Sequence, residues 1–180
     1  MFTSMQDGTA EEWAVIGKEH QQYFTKTPAH LMDMLRSLES VTLGFACNQL
    51  QHSLMTATLA RRDGGSDEEV AIALLHDIGK AVNIPNHGAI AAEIMRPYIS
   101  EDAYHAIYNH QHFQGKYYYE FAGGNPHLRD DFTEESWYDL AVKLVDRWDA
   151  PAFDPDFEVD SLESFEPLLE KIFHQPKQMF

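Results

Sequence analysis

Cysteine is almost absent: Cys47 is the single one. No intrachain disulfide framework is therefore possible, and a reducing cytoplasm is the expected setting. Basic residues are scarce as well, with 13 Lys and Arg against 29 Asp and Glu and a formal net charge of −16. Such a surface repels phosphate backbones, so nucleic acid is not an expected partner. No apolar run approaches the ~20 residues needed to cross a bilayer. The opening Met1-Phe2-Thr3-Ser4-Met5-Gln6-Asp7 has neither the basic nor the apolar region of a signal peptide, and no membrane partner is expected. Linker-like Ser/Gly tracts, low-complexity segments and internal repeats are missing, and no segment alternates with the period of a strand. What remains is 180 residues, 44% apolar and 12% aromatic, enough for one domain with a buried core. Ten histidines in so small a chain direct attention to metal.

The pattern is helical almost throughout, and the expected fold class is all-α. Asp7-Gly8-Thr9 opens a helix to about Phe24, and Pro28 opens a second with an apolar stripe of Leu31, Met34, Leu35 and Leu38. Asn48-Gln49 leads into a third, which Asp63-Gly64-Gly65 stops. Ser66 with Glu69 forms a capping-box signature for a helix over Asp67–Leu75. A short helix is expected over His87–Arg96 and another from Ser100 through His110. From Gln111 to Phe132 the pattern fails, so a loop or broken helices are expected there. Helices over Glu134–Asp149 and Leu162–Phe173 complete the chain. The expected division is N-terminal helices over 1–45, a metal-binding core over 46–150, and a turn and helix over 151–180.

The residues that carry chemistry are His52, His76-Asp77, His87, His110 and Asp149, each from a different helix or helix end. A polar His76-Asp77 pair closing the apolar Ala73-Leu74-Leu75 is costly to bury unpartnered, and a metal ion would partner it. Asp77 has two oxygens and can bridge two ions. Four histidines and two aspartates suit a dinuclear iron or manganese site better than a thiolate zinc site or an all-oxygen calcium site. Asp146 competes with Asp149 for the downstream role.

Leu74-Leu75-His76-Asp77-Ile78-Gly79-Lys80, with His52 upstream and an aspartate downstream, resembles the HD-domain superfamily of helical metalloproteins. With His87 and His110 added, the set resembles the mixed-valence di-iron oxygenases of that superfamily. Asn48-Gln49-Leu50-Gln51-His52-Ser53-Leu54 and Arg147-Trp148-Asp149 are similar to its phosphonate-cleaving branch. This resemblance implies a helical bundle with a dinuclear centre in its core. His52, His76, Asp77 and Asp149 would hold one iron; His87, His110 and the bridging Asp77 would hold the other. The implied cofactors are two iron ions as an Fe(II)/Fe(III) pair, with O₂ as co-substrate and a small phosphonate as substrate. Asp77 and Lys80 are the implied catalytic residues. Hydrolytic HD proteins also end this motif in Gly-Lys, so a metal-dependent phosphohydrolase acting on a nucleotide or small phosphate ester is the alternative.

Substrate choice rests on further residues. Oxygenases of this branch that act on a primary amine carry a Tyr and a Glu upstream of the first histidine, where this chain has Thr42 and Phe45. Without the carboxylate, the N–H donors of a primary ammonium would lie unpaired. A trimethylammonium group has no such donors and is better held by aromatic faces. The stretch Gln114-Gly115-Lys116-Tyr117-Tyr118-Tyr119-Glu120-Phe121 is similar to the branch that converts (1R)-1-hydroxy-2-(trimethylammonio)ethylphosphonate to glycine betaine and phosphate. The expected substrate contacts are Phe45, Gln49, Lys80, Gln114, Tyr117 and Arg129. Ordinary readings compete: Phe45 as core, Lys80 as a solvated lysine, Arg129 as a surface pair with Asp130 or Asp131. Three consecutive tyrosines cannot all face one pocket.

Overall fold

The computed structural model describes residues 1–177. The segment expected over 151–180 is thus seen through Lys177, and residues 178–180 lie outside the described residues. Among the described residues there are eight α-helices and no strand: α1 Ala10–Phe24, α2 Thr27–Ser37, α3 Gln49–Arg62, α4 Asp67–Leu75, α5 His87–Met95, α6 Glu101–Tyr118, α7 Tyr138–Val142 and α8 Glu166–Phe173. None is long and apolar enough to cross a membrane.

Local chemistry sets the starts. Thr9, Asn48 and Ser66 each close a reciprocal capping box, with Glu12, Gln51 and Glu69 respectively, which satisfies donors that a helix start leaves open. Pro28 sits in the first turn of α2, where its missing N–H costs nothing. Leu31 and Leu35 of α2 and Leu38 just after it are buried, and α4 buries everything from Val70 to Leu75. These residues, with Ala91, Ala92 and Met95 of α5, Ile107 of α6, Trp148, and Phe165, Leu169 and Phe173 near the C-terminus, make one continuous core. In contrast, α1 buries no residue.

Three boundaries differ from expectation, the first being the start of the last helix, where Leu162–Phe165 is a 3-10 turn ahead of α8. The helix expected to stop at His110 continues to Tyr118. Gly115 is tolerated inside it because the Tyr119 ring lies where a side chain would go. The helix expected from Glu134 starts only at Tyr138, after the turns around Phe132–Trp137.

After Val142 the helix changes register. Lys143–Asp149 is a seven-residue π-helix, a form that is rare and is found mostly at functional sites. Its residues are pinned from outside. Lys143 donates to Glu69 of α4 at 2.6 Å, and Asp146 accepts from Arg129, Lys116 and Tyr117. Arg147 and Trp148 Nε1 both reach Asp63, and Gln114 donates to Asp149 at 2.6 Å.

Candidate metal centre

Six polar side chains meet in the core: His52 from α3, His76 just past α4, Asp77 beside it, His87 at the start of α5, His110 from α6 and Asp149 closing the π-helix. His87 is 4% exposed and the others 0%. Close backbone approach makes this possible. A methyl at Gly79 would strike the His87 carbonyl, and one at Gly88 would strike the His110 ring.

Each imidazole is turned the same way. Nδ1 of His52, His76, His87 and His110 donates to the backbone carbonyl of Ala152, Ala73, Ile84 and Ile107, at 2.9, 2.9, 2.8 and 2.6 Å. That turns Nε2 of every ring inward and makes it the atom that can ligate a metal once its proton is lost. The four Nε2 atoms converge in two pairs. His52 and His76 lie 3.3 Å apart, and His87 and His110 lie 3.1 Å apart.

Asp77 stands between the pairs. Its Oδ2 is 3.3 Å from His52 Nε2 and 3.4 Å from His76 Nε2; its Oδ1 is 3.0 Å from His87 Nε2 and 3.5 Å from His110 Nε2. Asp149 Oδ1 joins the first pair, 3.2 Å from His52 and 3.6 Å from His76. Asp77 Oδ1 and Asp149 Oδ1 are buried without a hydrogen-bond partner among the described residues. Ligands on a cation at about 2.1 Å sit about 3.0–3.4 Å from one another, which matches these separations. Lone pairs and carboxylates packed together in this way ask for positive charge, and the residues fit a pair of metal ions.

The metal-free electrostatics agree. Burial opposes a charge on His76, yet Asp77 and Asp149 hold its pKa up to about 10. His52 is raised too, against burial, by the same two carboxylates. Burial pushes His110 down. Asp77 and Asp149 are depressed despite their burial, chiefly by the His76 charge. Without an ion, protons shield the carboxylates; a metal would take their place.

Around this cluster, Lys80 Nζ donates to Asp77 Oδ2 and, at 2.7 Å, to Gln49 Oε1. Gln114 braces Asp149 through Oδ2. Phe45 is half exposed and stacks on Phe153 at 4.8 Å, which itself stacks on the His52 ring at 4.4 Å. Tyr117 and Arg129 do not reach the cluster: both bind Asp146, and Arg129 does so through both of its terminal nitrogens. This pairing replaces the surface pair with Asp130 or Asp131. Asp149 faces His52 and His76, while Asp146 is the hub of this neighbouring network.

Two residues gain a place that the sequence left open. Phe153 follows the residue whose carbonyl orients His52, a signal visible only once Ala152 is placed. Tyr118 lies one and two helical turns beyond Gln114 and His110, so it continues the metal-facing stripe of α6. Burial and then Tyr119 push its phenol up to about 12, and the Asp149 and Asp77 charges add to this. Helical spacing through Tyr118 identifies it once α6 is known to run that far.

Residues 50–152 match the HD domain, more than half of the 180-residue chain. The chain belongs to the HD-domain family. No curated protein matches it. Its buried His/Asp cluster could hold metal, and the match takes in all six clustered residues.

Proposed function

We propose that this HD protein is a di-iron oxygenase that cleaves the C–P bond of a 1-hydroxyalkylphosphonate. The substrate we infer is (1R)-1-hydroxy-2-(trimethylammonio)ethylphosphonate, with glycine betaine and phosphate as products. The observation that carries this reading is the division of the centre. His52, His76 and Asp149 form one group, with Oδ2 of the shared Asp77 beside it, and His87, His110 and Oδ1 of Asp77 form a second, two-histidine, one-carboxylate group. That ligand set with open positions is the one non-haem iron oxygenases use. Bound iron would supply O₂ activation and a Lewis-acidic seat for the hydroxyl and phosphonate oxygens.

The chain's own residues supply the rest. Asp77 keeps both halves in one electrostatic unit, and Lys80 holds its Oδ2. Two aspartates against two multivalent cations leave the pocket positive, which draws a phosphonate into an otherwise acidic protein. The Phe45–Phe153 stack and Tyr118 offer aromatic faces for a quaternary ammonium. The reaction balances without an external reductant, because the hydroxylated carbon gives up four electrons to O₂ and both O₂ atoms enter the products.

Phosphate release from this substrate by the iron-loaded protein, with and without O₂, is the test. Phosphate and glycine betaine in the aerobic sample alone support the oxygenase. Equal release without O₂ overturns it in favour of hydrolytic cleavage, and O₂-independent release from a phosphate ester alone favours the phosphohydrolase, the reading that the HD match accommodates equally. No release in either sample overturns the substrate.

A further inference from the structure

Gln49 opens α3 one turn before His52 and is 0% exposed. Its Oε1 accepts from Lys80 Nζ. A lysine ammonium has only donors, so it cannot face an amide NH₂, and the orientation of the Gln49 amide is settled. The Nε2 group therefore points away from Lys80, and it has no hydrogen-bond partner among the described residues. A buried donor left in this state is costly, and side chains that persist so are accounted for by something that binds there.

The surroundings say what kind of group fits. Lys80 also donates to Asp77 Oδ2, so Gln49, Lys80 and the bridging carboxylate form one continuous chain of hydrogen bonds. The Lys80 side chain is 10% exposed while Asp77 is 0%, which marks Lys80 as the rim and Gln49 as the interior wall. Both residues present donors. A ligand whose oxygens only accept, and which carries negative charge, complements that pair; an ammonium would set donor against donor.

We propose that Gln49 is a specificity-determining residue: its free Nε2 donates to an oxygen of a tetrahedral phosphonate or phosphate group held at the metal centre. The choice of that ligand class rests on the reading of function above. Lys80 acts on Gln49 as an orienting partner, keeping the amide turned so that the donor faces inward.

The test uses the full chain loaded with diamagnetic zinc and methylphosphonate as the probe. In ¹H–¹⁵N spectra, the Gln49 side-chain NH₂, assigned by its absence from Gln49→Glu, is expected to shift downfield at one proton as methylphosphonate binds. Gln49→Glu keeps an oxygen for Lys80 but presents no donor, and by calorimetry it is expected to bind methylphosphonate on the order of 10- to 100-fold more weakly at unchanged metal content. An unmoved Gln49 resonance in a protein that binds the probe overturns the proposal, as does unchanged affinity in the variant or no binding by the parent protein. If the variant loses zinc, the spectrum of the parent protein decides alone. The two readings fail separately. Phosphate release without O₂ together with a shifted Gln49 resonance removes the oxygenase and keeps the subsite, whereas O₂-dependent release with an unmoved resonance does the reverse.

Discussion

The two halves of the metal centre are built unequally. His52, His76 and Asp149 form a crowded half with a carboxylate of its own, fully buried and braced by Gln114 and by Phe153 stacked on His52. His87 and His110 form a sparse half that has only Oδ1 of the shared Asp77, and His87 is the ligand nearest solvent. A full protein ligand set holds an ion, while a short one leaves positions for exogenous oxygen donors. On the proposed reading, retention would fall to one half and exchange to the other.

Asp77→Ala should break both halves and the sparse one further, since both use that carboxylate and the crowded half keeps Asp149. Metal content measured by plasma emission should fall in both, with affinities lower by on the order of 100-fold or more. In the metal-free protein the same change leaves the buried His76 charge short of a partner, a loss of about 3–5 kcal/mol for a broken buried pair, readable as a lower Tm. If the variant retains a full complement of metal, Asp77 is not the bridge.

Single-ligand variants should sharpen the difference. His87→Ala is expected to lose the sparse-half ion and keep the other, and His52→Ala the reverse, with a deeper loss of overall retention during dialysis. Equal losses in the two variants would mean that the halves are equivalent.

Acidity should act mainly on the crowded half. The His76 pKa is raised from 6.5 to about 10 in the metal-free protein, so its proton stabilises that form fully below pH 6.5 and the contribution fades as pH rises through about 10. Metal must displace this proton, so affinity in the crowded half should climb by up to about tenfold per pH unit across that window. Proton release on zinc loading at pH 8 would show it; zinc uptake without proton release would contradict it. The smallest expected effect is that of Gln114→Leu. It should weaken the crowded half by on the order of tenfold by removing the brace on Asp149, and leave the His87–His110 half unchanged.

The sequence showed this centre more clearly than it showed its surroundings. His52, His76, Asp77, His87, His110 and Asp149 could be picked out because buried imidazoles and carboxylates need a shared partner whatever the packing. The capping box at Ser66 is local and was equally legible, while at Asn48 the sequence showed a helix start but not its box with Gln51. The end of α6 was not legible, because Gly115 and a run of tyrosines weaken helical propensity, and only packing of the Tyr119 ring against Gly115 overrides them. That error left the choice among Tyr117, Tyr118 and Tyr119 open. Arg129 and Tyr117 looked available for substrate because their partner, Asp146, comes from a distant segment, and such pairing is invisible until the chain is folded. The π-helix was hidden too, since residues with ordinary helical propensity adopt it only when tertiary contacts favour the wider turn.

That π-helix has a consequence for how the protein can change by insertion and deletion. A wide turn of this kind holds a residue more than an α-helix of the same span, and Asp149 is its last member. Deleting one residue between Lys143 and Arg147 would therefore let the segment close into α register with Asp149 still facing His52 and His76, whereas adding a residue in α register would turn Asp149 away from them by about 100°. His87, His110 and Asp77, carried by other segments, would stay in place. The stretch can thus lose a codon and keep its ligand, while a gained codon would leave the centre with Asp77 as its one carboxylate.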